Sequence, residues 1–105
     1  MRKKSIVEEN STFEIAAVAP WRLTSVIPLP NYVLEVKFVD GLHGFVEMKG
    51  LIMSDRAGVF ASLKNVALFK KVYLSYGAVT WPGELDLAPE AMHSEIKQNG
   101  IWILN

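Results

Sequence analysis

The stretch Tyr32-Val33-Leu34-Glu35-Val36-Lys37-Phe38-Val39-Asp40-Gly41-Leu42-His43-Gly44-Phe45-Val46-Glu47-Met48 reads as two strands joined at Asp40-Gly41. Side chains alternate at period two along a strand, so Tyr32, Leu34, Val36 and Phe38 share one face. Leu42, Gly44, Val46 and Met48 share one face of the second strand. A two-residue loop at Asp40-Gly41 would pair Phe38 with His43 and Leu34 with Glu47, turning the two apolar sets to opposite sides. A three-residue loop, Val39-Asp40-Gly41, pairs Phe38 with Leu42, Val36 with Gly44, Leu34 with Val46 and Tyr32 with Met48. All the large apolar groups then face one way. Exposing three or four of them would forfeit roughly 1.5–3 kcal/mol each, comparable with the ~5–15 kcal/mol that holds a whole domain together, so the apolar pattern selects the register. The expected turn is type I with Gly41 left-handed in a G1 bulge. The opposite face carries Val33, Glu35, Lys37, His43, Phe45 and Glu47.

On the N-terminal side, residues 21–29 hold Leu23, Val26, Ile27 and Leu29 between Pro20, Pro28 and Pro30. A proline cannot donate to a ladder, which confines this lead-in strand to an edge position or makes it irregular. Further upstream, residues 1–10 are polar and expected to fray, and Ser11-Thr12-Phe13-Glu14 has the spacing of a capping box that could open a short helix before Pro20. On the C-terminal side, residues 59–69 place Val59, Phe60, Leu63, Val66, Ala67 and Phe69 at three- and four-residue spacing, which predicts a helix on the sheet, with Asn65 able to cap a second short turn inside it. Residues 71–76 and 78–81 form a second hairpin around Tyr76-Gly77, in which a two-residue loop pairs Leu74 with Val79 and leaves Tyr73 and Thr80 on the other face. Pro89 begins a helix over residues 89–98, carrying Met92 and Ile96 at i, i+4 and stopped by Asn99-Gly100. Residues 101–104, Ile-Trp-Ile-Leu, form a last strand that pairs within the domain or with another subunit. The expected fold is α+β: a small, mostly antiparallel sheet built from two β-hairpins, with two or three short helices packed on it.

The chain has 105 residues, half of them hydrophobic and about a fifth charged, which suits one globular domain over residues 1–105. It contains no cysteine, so disulfides, thiolate catalysis and cysteine zinc sites are excluded. Eleven basic and eleven acidic residues cancel, which leaves no global field to draw nucleic acid or anionic lipid. The modest cluster of Lys64, Lys70, Lys71 and Tyr73 carries too few charges for strong counterion release, so nucleic acid is not expected as a partner. Arg2-Lys3-Lys4 is followed too soon by Glu8-Glu9 to begin a secretory signal, and no apolar run approaches a membrane span. A cytoplasmic protein is expected.

Pro28-Leu29-Pro30-Asn31-Tyr32, Leu34-x-Val36-x-Phe38-x-Asp40-Gly41, Gly44-x-Val46, Val59-Phe60-x-x-Leu63, Leu68-Phe69-x-x-Val72 and Val79-x-Trp81-Pro82-x-x-x-Asp86-Leu87-x-Pro89 together resemble the small bacterial family catalogued as domain of unknown function 2442. The resemblance covers about residues 26–92. It departs at Glu47-Met48-Lys49 and at Gly83-Glu84, where the family has other residues. What it implies is a small α+β protein without established catalytic residues, and an accessory or antitoxin-like role beside the product of an adjacent gene.

The chemistry-bearing residues are few. His43 and His93 with Glu47 lack the spacing of a metal site, so no metal and no cofactor is expected. No Gly-x-Ser-x-Gly elbow and no phosphate-binding glycine loop occurs. Glu84 and Asp86, two apart in an extended segment, point the same way. They could bind a ligand or do acid–base work; the plainer reading is an edge strand guarded by charge. Trp102 and Phe45 are the aromatic candidates for an interface. The expectation is a non-enzymatic interaction module whose partner-binding residues are Glu35, Lys37, His43, Phe45, Glu84, Asp86 and Trp102, contacting a protein partner or a second copy of itself. The alternative is a ligand-binding or enzymatic domain that uses the loop 81–86.

Overall fold

A computed structural model describes residues 18–105 of the chain. The expectations for residues 1–10 and for the capping box at Ser11 lie outside the described residues. Strands β1 (Leu23–Leu29), β2 (Val33–Phe38) and β3 (His43–Glu47) are followed by a one-turn helix α1 (Lys49–Ile52), a 3-10 helix (Gly58–Lys64) and α2 (Val66–Phe69). Then come β4 (Tyr73–Ser75), β5 (Ala78–Trp81), β6 (Leu85–Asp86), α3 (Pro89–Asn99) and β7 (Ile101–Ile103). The α+β class stands. The two hairpins, however, belong to two sheets: a four-stranded one in the order β1-β2-β3-β7 and a three-stranded one in the order β4-β5-β6.

The central hairpin has the register that the apolar pattern selects. Leu34 pairs with Val46 and Val36 with Gly44. The Phe38 N–H donates to the Leu42 carbonyl at 2.8 Å, and the Gly41 N–H donates to the Phe38 carbonyl at 3.0 Å. Gly41 is left-handed at φ 92°, as a bulged three-residue loop requires. Asp40 Oδ1 accepts from the Leu42 N–H at 3.0 Å, which locks the corner. Leu34, Val36, Phe38, Val46 and Met48 are all buried in one core with Ile52, Leu63, Phe69, Trp81, Met92 and Ile96. Each contributes roughly 1.5–3 kcal/mol by leaving water.

β1 lies at the sheet edge, where Pro28 costs no ladder bond, and its pairing with β2 shifts between Leu23 and Ser25. The helix expected over residues 59–69 is instead two pieces. Asn65 has an extended backbone (φ −69°, ψ 108°) and its side chain accepts from the Ala67 N–H, so it ends the 3-10 helix and caps α2. The break turns Leu63 and Phe69 inward but leaves Val59 69% exposed, against the apolar face predicted for it. Trp81 fills the space between the sheets. Its Nε1–H donates to the Phe69 carbonyl at 3.0 Å, and its ring lies 6.1 Å from Phe69 and 6.4 Å from Phe60.

The second hairpin keeps its predicted pairing, Leu74 with Val79, around a turn in which both Tyr76 (φ 52°) and Gly77 (φ 77°) are left-handed. Helix α3 starts at Pro89 and stops at left-handed Gly100. The chain then returns as β7, parallel to β3, with Val46 opposite Trp102. This closing step depends on Gly44. A Cβ there would collide with the Ile96 side chain and lie 2.7 Å from the Gly100 carbonyl, so only glycine lets the end of α3 reach the sheet. Gly44→Ala is therefore expected to destabilise the protein by about 1–3 kcal/mol, read as a lower urea midpoint at an unchanged m-value; an unchanged midpoint would show that α3 does not rest there.

Candidate functional site

Period-two alternation that buries Leu34, Val36 and Val46 must turn their neighbours the other way. Two cross-strand rows result. Ile27, Glu35, Phe45 and Ile101 lie side by side across β1, β2, β3 and β7, and Leu29, Val33, Glu47 and Ile103 form the row beside them. Lys37 faces His43 at the loop end. The described helices pack on the opposite, core side, so no described element covers this face. Ile27 is 47% and Ile103 54% exposed, while Phe45 is half-buried among its neighbours. At one end the face dips into a hollow of about 430 Å³ bordered by Val33, Glu47, Lys49 and Ile103.

His43 and Glu35 form a diagonal pair across this face, Nε2 to Oε2 at 2.7 Å. The His43 ring meets Phe45 edge-on at 5.5 Å. The His43 ring, held by Glu35, thereby packs against the half-buried Phe45, a patch of one apolar group framed by Glu35, Lys37 and His43. His93 sits elsewhere, with Nε2 2.7 Å from Asp40 Oδ2 and its ring edge-on to Phe38 at 4.9 Å. Each histidine thus has its own carboxylate. Among the described residues no group of three or more metal-ligating side chains is gathered, and His43, His93 and Glu47 form no common site.

Glu84 and Asp86 fall on the other sheet. Gly83 (φ 93°) and Glu84 (φ 66°) make a left-handed corner after Pro82 that folds β6 back onto β5, with Thr80 opposite Asp86. The two carboxylates line an open recess of about 470 Å³ together with Trp21, Tyr73, Tyr76 and Thr80. Arg22 braces the Tyr76-Gly77 turn from outside the lining. Its Nη1–H donates to the Tyr76 carbonyl at 3.2 Å, and the Leu23 N–H donates to the Gly77 carbonyl at 2.9 Å, which ties β1 to the second hairpin and lays Trp21 alongside it.

The candidate residues therefore divide. Glu35, Lys37, His43 and Phe45 come together on the open face, Glu84 and Asp86 come together in the recess, and Trp102 joins neither. It stands opposite Val46 and packs on the core, because β7 pairs within the domain; the exposed apolar side chain of that strand is Ile103. Sequence reasoning missed Ile27, Leu29, Ile101 and Ile103 on the open face, since a row exists only once β1 and β7 are placed. It also missed Trp21 and Tyr76 as recess walls. Tyr76 alone carried a signal, a large aromatic at a turn position that favours Asn or Gly.

The profile of the family described as "Protein of unknown function (DUF2442)" matches residues 23–98. The chain belongs to this family. The match runs from the first residue of β1 almost to the end of α3, so Trp21 and the whole of β7 lie outside it. No curated protein and no solved structure matches the chain. No helix among the described residues is long and apolar enough to cross a membrane.

One electrostatic consequence can be measured. The hydrogen bond with His93, aided by the Leu42 N–H, holds the Asp40 carboxyl below its ordinary value of 3.8. Because folding lowers this pKa, the unfolded chain binds the proton more readily at acid pH. The stabilisation is whole above 3.8 and is lost as the pH falls through the folded value. Asp40→Asn should accordingly be less stable than the parent at pH 6, with the gap closing below pH ~3.8; a gap that stays constant across denaturation curves from pH 6 to pH 2.5 would contradict it.

Proposed function

We propose that this chain is a non-enzymatic protein-interaction module of the cytoplasm, an accessory or antitoxin-like partner of a neighbouring gene's product, and that it docks that protein on the open face of the four-stranded sheet. The observation that supports this most is the face itself. Ile27 on β1, Phe45 on β3 and Ile101 and Ile103 on β7 make this face largely apolar, interrupted by Glu35 on β2, with no described element over it, and such surfaces on small domains mark contacts. Lys37 on β2 and Glu47 on β3 frame it. A complementary partner is apolar at its centre and answers both signs at its rim.

The face is a better docking surface than the sheet edges. Pro28 and the irregular pairing near Leu23 blunt the β1 edge against an added strand, and β7 offers only three residues. Phe45 is the natural centre of the contact. It is an aromatic already held in place by His43, so little side-chain freedom is lost on binding.

The test is co-expression with the flanking gene products, followed by affinity capture of the tagged chain. A neighbouring product should be retained by the parent and lost in Phe45→Asp, a change that should weaken the complex by about 2 kcal/mol or more in a variant that is less stable, with an acid opposite Glu35, but still folded by circular dichroism at the assay temperature. Failure to retain any flanking product, or equal retention by Phe45→Asp, would refute the docking face.

A further inference from the structure

We propose that the recess beside β4, β5 and β6 binds a guanidinium group, the side chain of an arginine presented by a partner protein. The protein source rests on the interaction-module reading; the guanidinium chemistry does not. The lining decides the charge of the ligand. Glu84 and Asp86 supply two carboxylates, and among the described residues no lysine, arginine or histidine lines the recess. The Thr80 Oγ1 hydrogen is spent on the Ala78 carbonyl at 3.0 Å, and Thr80 is only 9% exposed. Its oxygen is left to that recess as an acceptor. The polar groups on the floor and rim thus ask for a donor with several N–H groups and a positive charge.

The aromatic walls decide its shape. Trp21, Tyr73 and Tyr76 present π-faces or edges around the same space, and a cation is drawn to such rings. A guanidinium is flat, so it can stack on an aromatic while its edge N–H groups reach two carboxylates. An ammonium is compact and strongly hydrated and satisfies the two demands less well. The recess, about 470 Å³ and open to solvent, admits a side chain end-on rather than enclosing a whole ligand.

Tyr76 gives an independent reason to look outside the fold. Its backbone is left-handed (φ 52°) and the residue is 89% exposed. A bulky side chain at such a φ is strained, and this one buries almost nothing in return. Asparagine or glycine would serve the turn better. A ligand that the ring covers accounts for what the fold does not.

The test is an NMR titration of the full chain with blocked Gly-Arg-Gly peptide, its lysine and citrulline counterparts, and free arginine. Saturable shifts are expected at backbone amides of residues 73–86 with the arginine peptide, with affinity roughly three- to tenfold lower for lysine and no saturable response to citrulline. Tyr76→Asn should raise the thermal midpoint yet weaken binding, and the double variant Glu84→Gln/Asp86→Asn should weaken it by about threefold or more with the spectrum otherwise preserved. Equal binding of citrulline, shifts located elsewhere, or an unchanged double variant would each overturn the guanidinium site. Tighter binding of free arginine than of the blocked peptide would overturn a protein as its source. Phe45→Asp, which tests the sheet face separately, should leave these shifts intact; their loss in that variant would also overturn the assignment.

Discussion

Three residues of loop, Val39-Asp40-Gly41, set the phase of everything around them. A strand offers only two side-chain directions, so the loop's length determines whether β2 and β3 bury the same side. With Gly41 left-handed and the Asp40 carboxylate bonded to the Leu42 N–H, Leu34, Val36, Phe38 and Val46 all enter the core. By the same constraint Glu35, Lys37, His43 and Phe45 must leave it. The core and the candidate docking face are two consequences of one register.

The packing that follows is reinforced by groups that do more than one thing. Trp81 fills volume between the sheets and satisfies the Phe69 carbonyl; Tyr32 packs edge-on to Phe69 at 5.3 Å and donates its hydroxyl hydrogen to the Lys64 carbonyl at 2.6 Å. Both bonds hold the ends of short helices too brief to be stable alone. Arg22 and Leu23 clasp the Tyr76-Gly77 turn, and that clasp creates the recess. The two candidate surfaces thus have different origins: the hairpin register opens the face of one sheet, and the contacts that join the two sheets shape the acceptor-rich hollow on the other.

How much of this was legible in the sequence depended on whether the signal was local. The hairpin registers, the cap at Asn65, the start at Pro89 and the stop at Gly100 follow from neighbours within a few residues, and each appears as read. Residues 59–69 misled because apolar spacing alone does not separate one α-helix from a 3-10 turn followed by a short α-helix. The parallel pairing of β7 with β3 has no local signature at all, and it moved Trp102 from a candidate interface to the core side. Glu35, Lys37, His43 and Phe45 were recognisable as one face from alternation. The recess was not, since Trp21, Tyr73 and Glu84 meet only after two sheets have docked. Alternation places Gly44 on the apolar face without saying why it is glycine; the end of α3 resting on it supplies the reason.

One register divides the hairpin into a buried face and an open one, and the chain's lack of cysteine makes that division directly measurable. Single cysteines introduced in turn at Leu34, Glu35, Val36, Lys37, Phe45 and Val46 can be timed against a thiol reagent under native conditions. Strict alternation is expected: positions 35, 37 and 45 react quickly, while 34, 36 and 46 react only as fast as the whole protein unfolds. Slow labelling at 35, 37 and 45 as well, or the inverse alternation, would contradict it.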